Sequence, residues 1–145
     1  MRIILQRVKS ASVSVDSEIV ASIGKGYLAY LGIGRSDAAG DCQKLIDKLL
    51  NLRIFPNSDH KLDYSINDVN GSILVVSQFT LYGDCKKGRR PSFEHAAPLA
   101  DARELYTTFC NQLKEQYSSV QTGVFQATMA VRSTNDGPFT LLLES

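Results

Sequence analysis

This chain of 145 residues has two short segments with polar side chains, one at the end of a predicted strand and one in a predicted turn. The first is Ser77-Gln78-Phe79-Thr80, which follows the hydrophobic run 73–76. Hydroxyl and amide groups at the end of a buried strand can hold water or a polar ligand, or they can satisfy nearby backbone groups. On chemistry alone, the purely structural role is the more common one.

The second segment is Asn135-Asp136-Gly137-Pro138-Phe139-Thr140. Asn-Asp-Gly-Pro is a strong turn signal, and the simplest interpretation is a tight loop between two strands. A Gly-Pro bond can also adopt the cis form at a cost of about 0.5–1 kcal/mol. Two carbonyl oxygens would then point the same way with no side chain between them, as an acceptor pair for an ammonium group.

Side chains that usually catalyse reactions are scarce. His60 and His95 belong to no metal-ligand pattern, so we expect neither a metal nor a cofactor. Cys42, Cys85 and Cys110 are far apart and predict free thiols. The chain has no nucleophile elbow and no phosphate-binding loop. Taken alone, this inventory is typical of a binding module.

Composition predicts one soluble domain over residues 1–145. Hydrophobic residues make up 43% and charged residues 21%, which suffices for a real core. The net charge of +1 gives no global field for nucleic acid, so any RNA contact must be local. Arg7 interrupts the first apolar run too early for a signal peptide, and no apolar stretch approaches the roughly 20 residues of a membrane span. We therefore expect a cytoplasmic protein without membrane contact.

Four positive charges fall within five residues of the loop Gly83–Pro91: Lys86, Lys87, Arg89 and Arg90. Such a loop is either a solvated surface or a contact for RNA phosphates. The sequence favours neither interpretation over the other.

Apolar periodicity predicts strands, a helix, strands, a second helix and strands again. The predicted strands cover residues 2–8, 11–15, 19–23, 27–33, 53–55, 72–81, 120–125, 127–133 and 139–143. Asp16-Ser17 predicts a hairpin turn. This order favours a single-domain α+β fold, with a curled, mostly antiparallel, barrel-like sheet and two flanking helices.

The two helices have distinct start signals. Ser36 or Asp37 caps the first, whose buried stripe is Leu45, Ile46, Leu49 and Leu50. The second begins near Pro98. Its predicted inward face comprises Leu99, Ala102, Leu105, Tyr106, Phe109, Leu113 and Tyr117.

Together, the segments 77–80 and 135–140 resemble the two signature motifs of the D-aminoacyl-tRNA deacylases, or D-Tyr-tRNA deacylases. The likeness covers nearly the whole chain, and both motifs occur in order and at family-like spacing. Other similar segments are Leu5–Val8, Leu52–Phe55, Lys87–Phe93 and Thr122–Phe125.

The resemblance implies a homodimer that hydrolyses the ester bond of D-aminoacyl-tRNA at the subunit interface, with RNA rather than DNA as its partner. In this family the Gly-Pro bond is cis, so Gly137 and Pro138 would enter the other subunit's pocket and reject L side chains. That pocket would be lined by residues 77–80. Main-chain amides near Phe79 and Thr80 would stabilise the oxyanion, and the substrate's 2′-hydroxyl would handle protons.

The resemblance also assigns supporting roles. Arg7, Asn135 and Thr140 would support the Gly-Pro loop, and Phe125 and Met129 would hold the terminal adenosine. Because glycine has no side chain, we expect some activity on glycine mischarged onto tRNA for alanine, in keeping with a proofreading role.

Two departures and three alternatives accompany this interpretation. Family members commonly have Gly at the position of Gln126, and often Met-Asn at Leu62-Asp63, which bears on affinity more than on reaction type. The first alternative is a relative with a trans Gly-Pro bond that accepts certain L-aminoacyl-tRNAs. The second is a non-enzymatic RNA- or partner-binding module. The least favoured is a nucleophilic Thr80, which has no accompanying base.

Overall fold

The first strand sets the framework of the fold. In the computed structural model, which describes residues 1–145, β1 spans Arg2–Val15 and alternates between buried and accessible side chains. Ile3 and Leu5 are fully buried, as period-two alternation requires. Asp16 and Ser17, both with positive φ, turn the chain into the second strand and confirm the predicted hairpin.

The other elements follow in chain order. They are β2 (Glu18–Ile23), β3 (Gly26–Gly32), α1 (Ala39–Asn51), β4 (Phe55–Pro56), β5 (Leu62–Tyr64), β6 (Ser72–Ser77), a 3-10 turn (Phe79–Tyr82), α2 (Leu99–Gln116), β7 (Val120–Thr122) and β8 (Ala130–Glu144).

β1 lies at the centre of a six-stranded sheet. Its first half pairs with β3 and its second half with β2, while β8 pairs along almost its whole length, and all three pairings are antiparallel. β6 and β7 continue from β3 as parallel neighbours. The sheet is therefore mostly antiparallel and nearly closed into a barrel. With its two helices it confirms the predicted single-domain α+β fold.

The core occupies both faces of the central strands. Leu45 of α1 and Phe109 of α2 belong to the larger apolar cluster, together with Ile73. Alternate residues of β3 and β6, such as Leu28 and Leu74, belong to a second cluster. Burial on both faces explains why these strands are continuous apolar runs in the sequence.

Both helices lie where the sequence predicted them, but the predicted cap of α1 at Ser36 or Asp37 is wrong. α1 begins after Ala38, whose amide donates to the Asp41 carboxylate at 3.0 Å. Asp37 is engaged elsewhere, because its carboxylate accepts the N-terminal ammonium of Met1 at 2.5 Å. Neither helix is long and apolar enough to cross a membrane.

Two strand boundaries before α2 differ from the prediction. The strand predicted over 72–81 ends at Ser77, which forms the last pair with β3, opposite Leu31, whereas β7 already ends opposite Val75. The short strand predicted over 53–55 is Phe55–Pro56, which pairs with the unpredicted β5.

The last third of the chain is simpler than predicted. Residues 123–129 form a turn, in which Gln126 has a positive φ of 67°. The strand predicted over 120–125 therefore ends early, and the strand predicted over 127–133 begins late. β7 stops at Thr122 and β8 starts at Ala130. From there β8 runs to Glu144 as one strand.

The segment 135–140 is therefore not a loop between two strands but a bulge within β8. Gln6 pairs with Thr140 and Val8 pairs with Asn135, so residues 136–139 lie opposite Arg7 alone. Extra residues on one strand are the defining feature of a β-bulge, and they push that backbone out of the sheet.

We predict that truncating Phe109, which is fully buried, lowers the free energy of unfolding by about 3–5 kcal/mol. The sequence predicts that Leu99 faces inward, but its side chain is 54% exposed, so L99A should change that free energy by less than about 1 kcal/mol. Urea unfolding of F109A and L99A measures both. Equal losses would contradict the described packing of α2.

Candidate active site

β6 ends in a turn whose first amides are not used by the fold. The Gln78 amide donates to the Leu31 carbonyl at 2.8 Å, which continues the pairing with β3. The first amide that donates within the 3-10 turn is that of Leu81, to the Gln78 carbonyl at 3.3 Å, and no side chain caps the turn. The Phe79 and Thr80 amides therefore lie outside the turn's own hydrogen bonds and can serve a ligand.

An apolar pocket of about 500 Å³ opens beside this turn. Of its 14 lining residues, 11 are hydrophobic and none has an ionisable side chain. The lining includes Ser77, Gln78 and Phe79 from the end of β6, and Phe125 and Met129 from the turn before β8. The pocket thus gathers five of the predicted site residues, and it offers apolar surface and polar main chain without a side-chain acid or base.

Thr80 lies just outside this lining. Its side chain is exposed, and its hydroxyl accepts a hydrogen bond from the Gln78 amide group. Phe79 is 56% exposed and packs edge-on against Phe93, with ring centroids 5.0 Å apart. The rim of the pocket is therefore aromatic, and no general base contacts the Thr80 hydroxyl.

Phe125 is held from two sides. Its ring packs against Tyr106 with centroids 5.3 Å apart, and the Arg103 guanidinium carbon lies 4.9 Å from its centroid. Arg103 is fixed by a 2.6 Å hydrogen bond that it donates to the Gln126 side chain. Gln126 adopts the left-handed backbone conformation that favours glycine, which is the residue expected there from the family resemblance.

The Gly-Pro segment is held by its own flanking residues. The Gly137–Pro138 peptide bond is cis. The Asn135 side chain accepts a hydrogen bond from the Phe139 amide at 3.0 Å, and it donates one to the Thr140 hydroxyl at 3.0 Å. These bonds connect the two ends of the bulge, so its exposed tip is supported on both sides.

Arg7 supports the same bulge from β1. It is only 7% exposed, donates to the Asp136 carbonyl at 3.2 Å, and pairs with the Asp136 carboxylate at 3.3 Å. It also donates to the Ile54 carbonyl and lies over the Phe139 ring, 5.0 Å from the centroid. Its charge and its donors are thus satisfied within the fold, and its contacts fix the position of the bulge.

The structure does not bring the Gly-Pro bulge and the apolar pocket of one chain together. Neither Gly137 nor Pro138 lines that pocket. Arg2 donates to the Leu81 carbonyl beside the pocket, whereas Arg7 contacts the bulge. Arg2 and Arg7 are five residues apart on β1. At roughly 3.3 Å per strand residue, their Cα atoms are about 16 Å apart.

The basic loop directly follows the 3-10 turn in the chain. Lys86 lines a second, polar cavity there, while Lys87, Arg89 and Arg90 are exposed. None of the four forms an ion pair. The Leu62-Asp63 departure lies in β5, where Asp63 pairs with Arg53, outside the apolar pocket.

Comparison with known proteins identifies the family. The model of the family described as D-Tyr-tRNA(Tyr) deacylase matches residues 4–144. The chain belongs to this deacylase family. It is 52% identical to the D-aminoacyl-tRNA deacylase of Syntrophobacter fumaroxidans over 145 residues, which cover 100% of this chain and 97% of that protein.

A second relative is equally similar over its full length. The D-aminoacyl-tRNA deacylase of Carboxydothermus hydrogenoformans is 52% identical over 144 residues, covering 99% of each chain. A solved structure named c-Myc DNA Unwinding Element Binding Protein is similar in fold to this chain, with a TM-score of 0.94 and 39% sequence identity. The match covers 100% of this chain and 99% of that one.

Sequence reasoning missed two features of the pocket. Arg103 was not singled out, because its contacts with Phe125 and Gln126 join a helix to a turn that is distant in sequence. The apolar lining at the end of β3 and just after it, Leu31 and Ile33, looked like ordinary core. No local pattern distinguishes a pocket wall from a core strand, so only the tertiary structure separates them.

The three thiols should differ sharply in reactivity. Burial raises the pKa of Cys110 to about 11 and also raises the pKa of the buried Cys42, whereas Cys85 is exposed. At pH 7 only about one Cys110 thiol in ten thousand is then ionised. We predict that a thiol reagent labels one cysteine in the native protein and none in C85S, and that C85S keeps full activity. Rapid labelling of two or more sites would contradict this.

Proposed function

We propose that this chain hydrolyses the ester bond of D-aminoacyl-tRNA and releases the free D-amino acid and the tRNA. Full-length membership of the deacylase family supports this activity. The observation that carries the proposal is the apolar pocket itself, which has no ionisable side chain but adjoins two unused main-chain amides. An activated ester needs positioned water and oxyanion stabilisation rather than a strong side-chain catalyst.

In the proposed reaction, a water oxygen attacks the ester carbonyl and forms a tetrahedral oxyanion. The Phe79 and Thr80 amides donate hydrogen bonds to that oxyanion. The intermediate then collapses, the bond to the ribose oxygen breaks, and that oxygen receives a proton. That proton comes from the attacking water, and the neighbouring 2′-hydroxyl of the substrate relays it to the leaving oxygen, since the pocket lining supplies no ionisable side chain to carry it.

Chirality is proposed to depend on a second copy of the chain. Neither Gly137 nor Pro138 lines the pocket of its own chain, and Arg2, which contacts the 3-10 turn, is about 16 Å along β1 from Arg7, which contacts the bulge, so a partner subunit would supply the bulge. The bulge carbonyls would bind the substrate's α-ammonium group, and the pocket would hold the ester. With both groups fixed, an L side chain would strike the bulge, while a D side chain would point outward.

The remaining contacts are proposed to hold the RNA. Phe125 and Met129 would pack against the terminal adenosine. Lys86, Lys87 and the arginines of the basic loop would contact acceptor-stem phosphates. Because exclusion acts on the side chain, glycine mischarged onto tRNA for alanine would be a further substrate, and the chain would act as a proofreading enzyme.

We predict hydrolysis of D-Tyr-tRNA and slower hydrolysis of Gly-tRNA(Ala), with L-Tyr-tRNA left intact, because only the L side chain meets the bulge. A deacylation assay with the three purified substrates measures the rates. Hydrolysis of L-Tyr-tRNA instead would assign the chain to the L-accepting relatives. Binding of all three without hydrolysis would make it a non-enzymatic RNA-binding module.

We predict that Gly137→Ala lowers kcat/KM for D-Tyr-tRNA by about 100-fold, since small displacements of positioning groups cost that much. Gly137 has a φ of 132°, and an added Cβ would lie 3.1 Å from both Arg7 Nη2 and the Phe139 amide nitrogen. The bulge would therefore have to move.

The matched control is Gly40→Ala in α1. An added Cβ there meets nothing within 4 Å, and alanine is the better helix residue, so activity should be retained. If G137A were as active and as D-selective as G40A, the bulge would have no part in the reaction.

A further inference from the structure

A polar cavity of about 690 Å³ is lined by Tyr82, at the end of the 3-10 turn whose first residue, Phe79, lines the apolar pocket. We call it the basic cavity. Its lining includes Arg2, Arg35, Lys86, His95 and Tyr82, and Asp84 is its one acidic side chain. Three permanent positive charges therefore face one negative charge within a protein whose net charge is only +1.

Two of these cations are not neutralised by the fold. Arg2 pairs with the Glu144 carboxylate at 2.8 Å, but neither Arg35 nor Lys86 forms an ion pair. Arg35 uses only its Nε, which donates to the Glu94 carbonyl, so its terminal nitrogens remain free. A planar guanidinium with free terminal donors beside an ammonium group suits a phosphate.

Contacts with three other residues hold the Tyr82 side chain in the lining of the basic cavity. The Tyr82 hydroxyl donates to the Asp37 carboxylate at 3.1 Å, and the Arg2 guanidinium carbon lies 4.6 Å from the Tyr82 ring centroid. The ring also rests on Gly34, where an added Cβ would approach it to 2.5 Å. Tyr82 and Arg2 of the basic cavity thus pack against each other, and Tyr82 belongs to the same 3-10 turn as Phe79 of the apolar pocket.

Phe79 lines the apolar pocket and Tyr82 lines the basic cavity, and the turn between these two residues matches a short length of RNA. The turn from Phe79 to Tyr82 covers about 6 Å at roughly 2.0 Å per residue. A stacked strand advances roughly 3.4 Å per nucleotide, so this is about two nucleotides. A strand whose terminal nucleoside occupies the apolar pocket can therefore place an earlier phosphate in the basic cavity.

We infer that the basic cavity binds a phosphodiester of the substrate's own 3′ strand, one or two nucleotides before the aminoacylated end. This rests on the proposed function and adds a defined subsite, with Arg35 as its main ligand, to the exposed basic loop. Its role is to recognise the polynucleotide rather than the amino acid.

The test compares D-Tyr-tRNA with D-tyrosyl-adenosine, an ester that has no phosphate. In R35Q/K86Q, the ratio of kcat/KM for the tRNA to that for the nucleoside ester should fall on the order of ten-fold. The slope of log kcat/KM for the tRNA against log salt should become shallower by about 0.7 for each phosphate that the variant no longer neutralises.

The matched control is K61Q/K114Q, which removes two exposed lysines without ion pairs and so makes the same change in net charge. The proposed subsite would be wrong if R35Q/K86Q left the ratio of the two kcat/KM values unchanged, including the case in which both values fall in parallel. It would also be wrong if the ratio fell equally in K61Q/K114Q. If the wild-type protein hydrolysed neither ester, the proposed function itself would fail.

Discussion

The antiparallel pairing of β1 with β8 determines where the candidate site residues lie. The pairing runs from Arg2–Glu144 to Ser14–Ala130 and is interrupted only opposite Arg7 and Lys9. At one end it holds Arg2 beside the 3-10 turn, and at the interruption it pushes the Gly-Pro bulge outward. One strand register therefore sets the spacing between the pocket and the proposed chirality gate, and no flexible linker is involved.

A site that relies on main-chain groups needs a rigid backbone, because it has no side chains whose rotamers can compensate for an error in position. The structure provides that rigidity on both sides. Arg7 and Asn135 fix the bulge through bonds to its carbonyl and amide groups. Tyr82 and the pairing of Gln78 with β3 fix the turn. The charged and amide side chains of the family motifs thus support the backbone that would contact the substrate.

Much of the fold was predictable from periodicity. The strand 27–33, the first part of the strand predicted over 72–81 and both helices were predicted because their apolar patterns reflect burial on defined faces. The bulge in β8 was not recognised, because Asn-Asp-Gly-Pro is the same signal whether a chain reverses or only bulges, and the partner strand decides between them. Family resemblance predicted five of the residues that line the pocket, whereas Arg103 and Arg35 required the tertiary structure.

The β1–β8 pairing also bears on how the chain folds. It joins Arg2 to Glu144, residues that are 142 positions apart, so closing the sheet carries a large loop-closure entropy. During synthesis, β1 is made first and its β8-facing edge stays unpaired until the last strand emerges. The hairpin of β1 with β2 and its pairing with β3 are local enough to form earlier, and they leave a partly open sheet that the last strand completes.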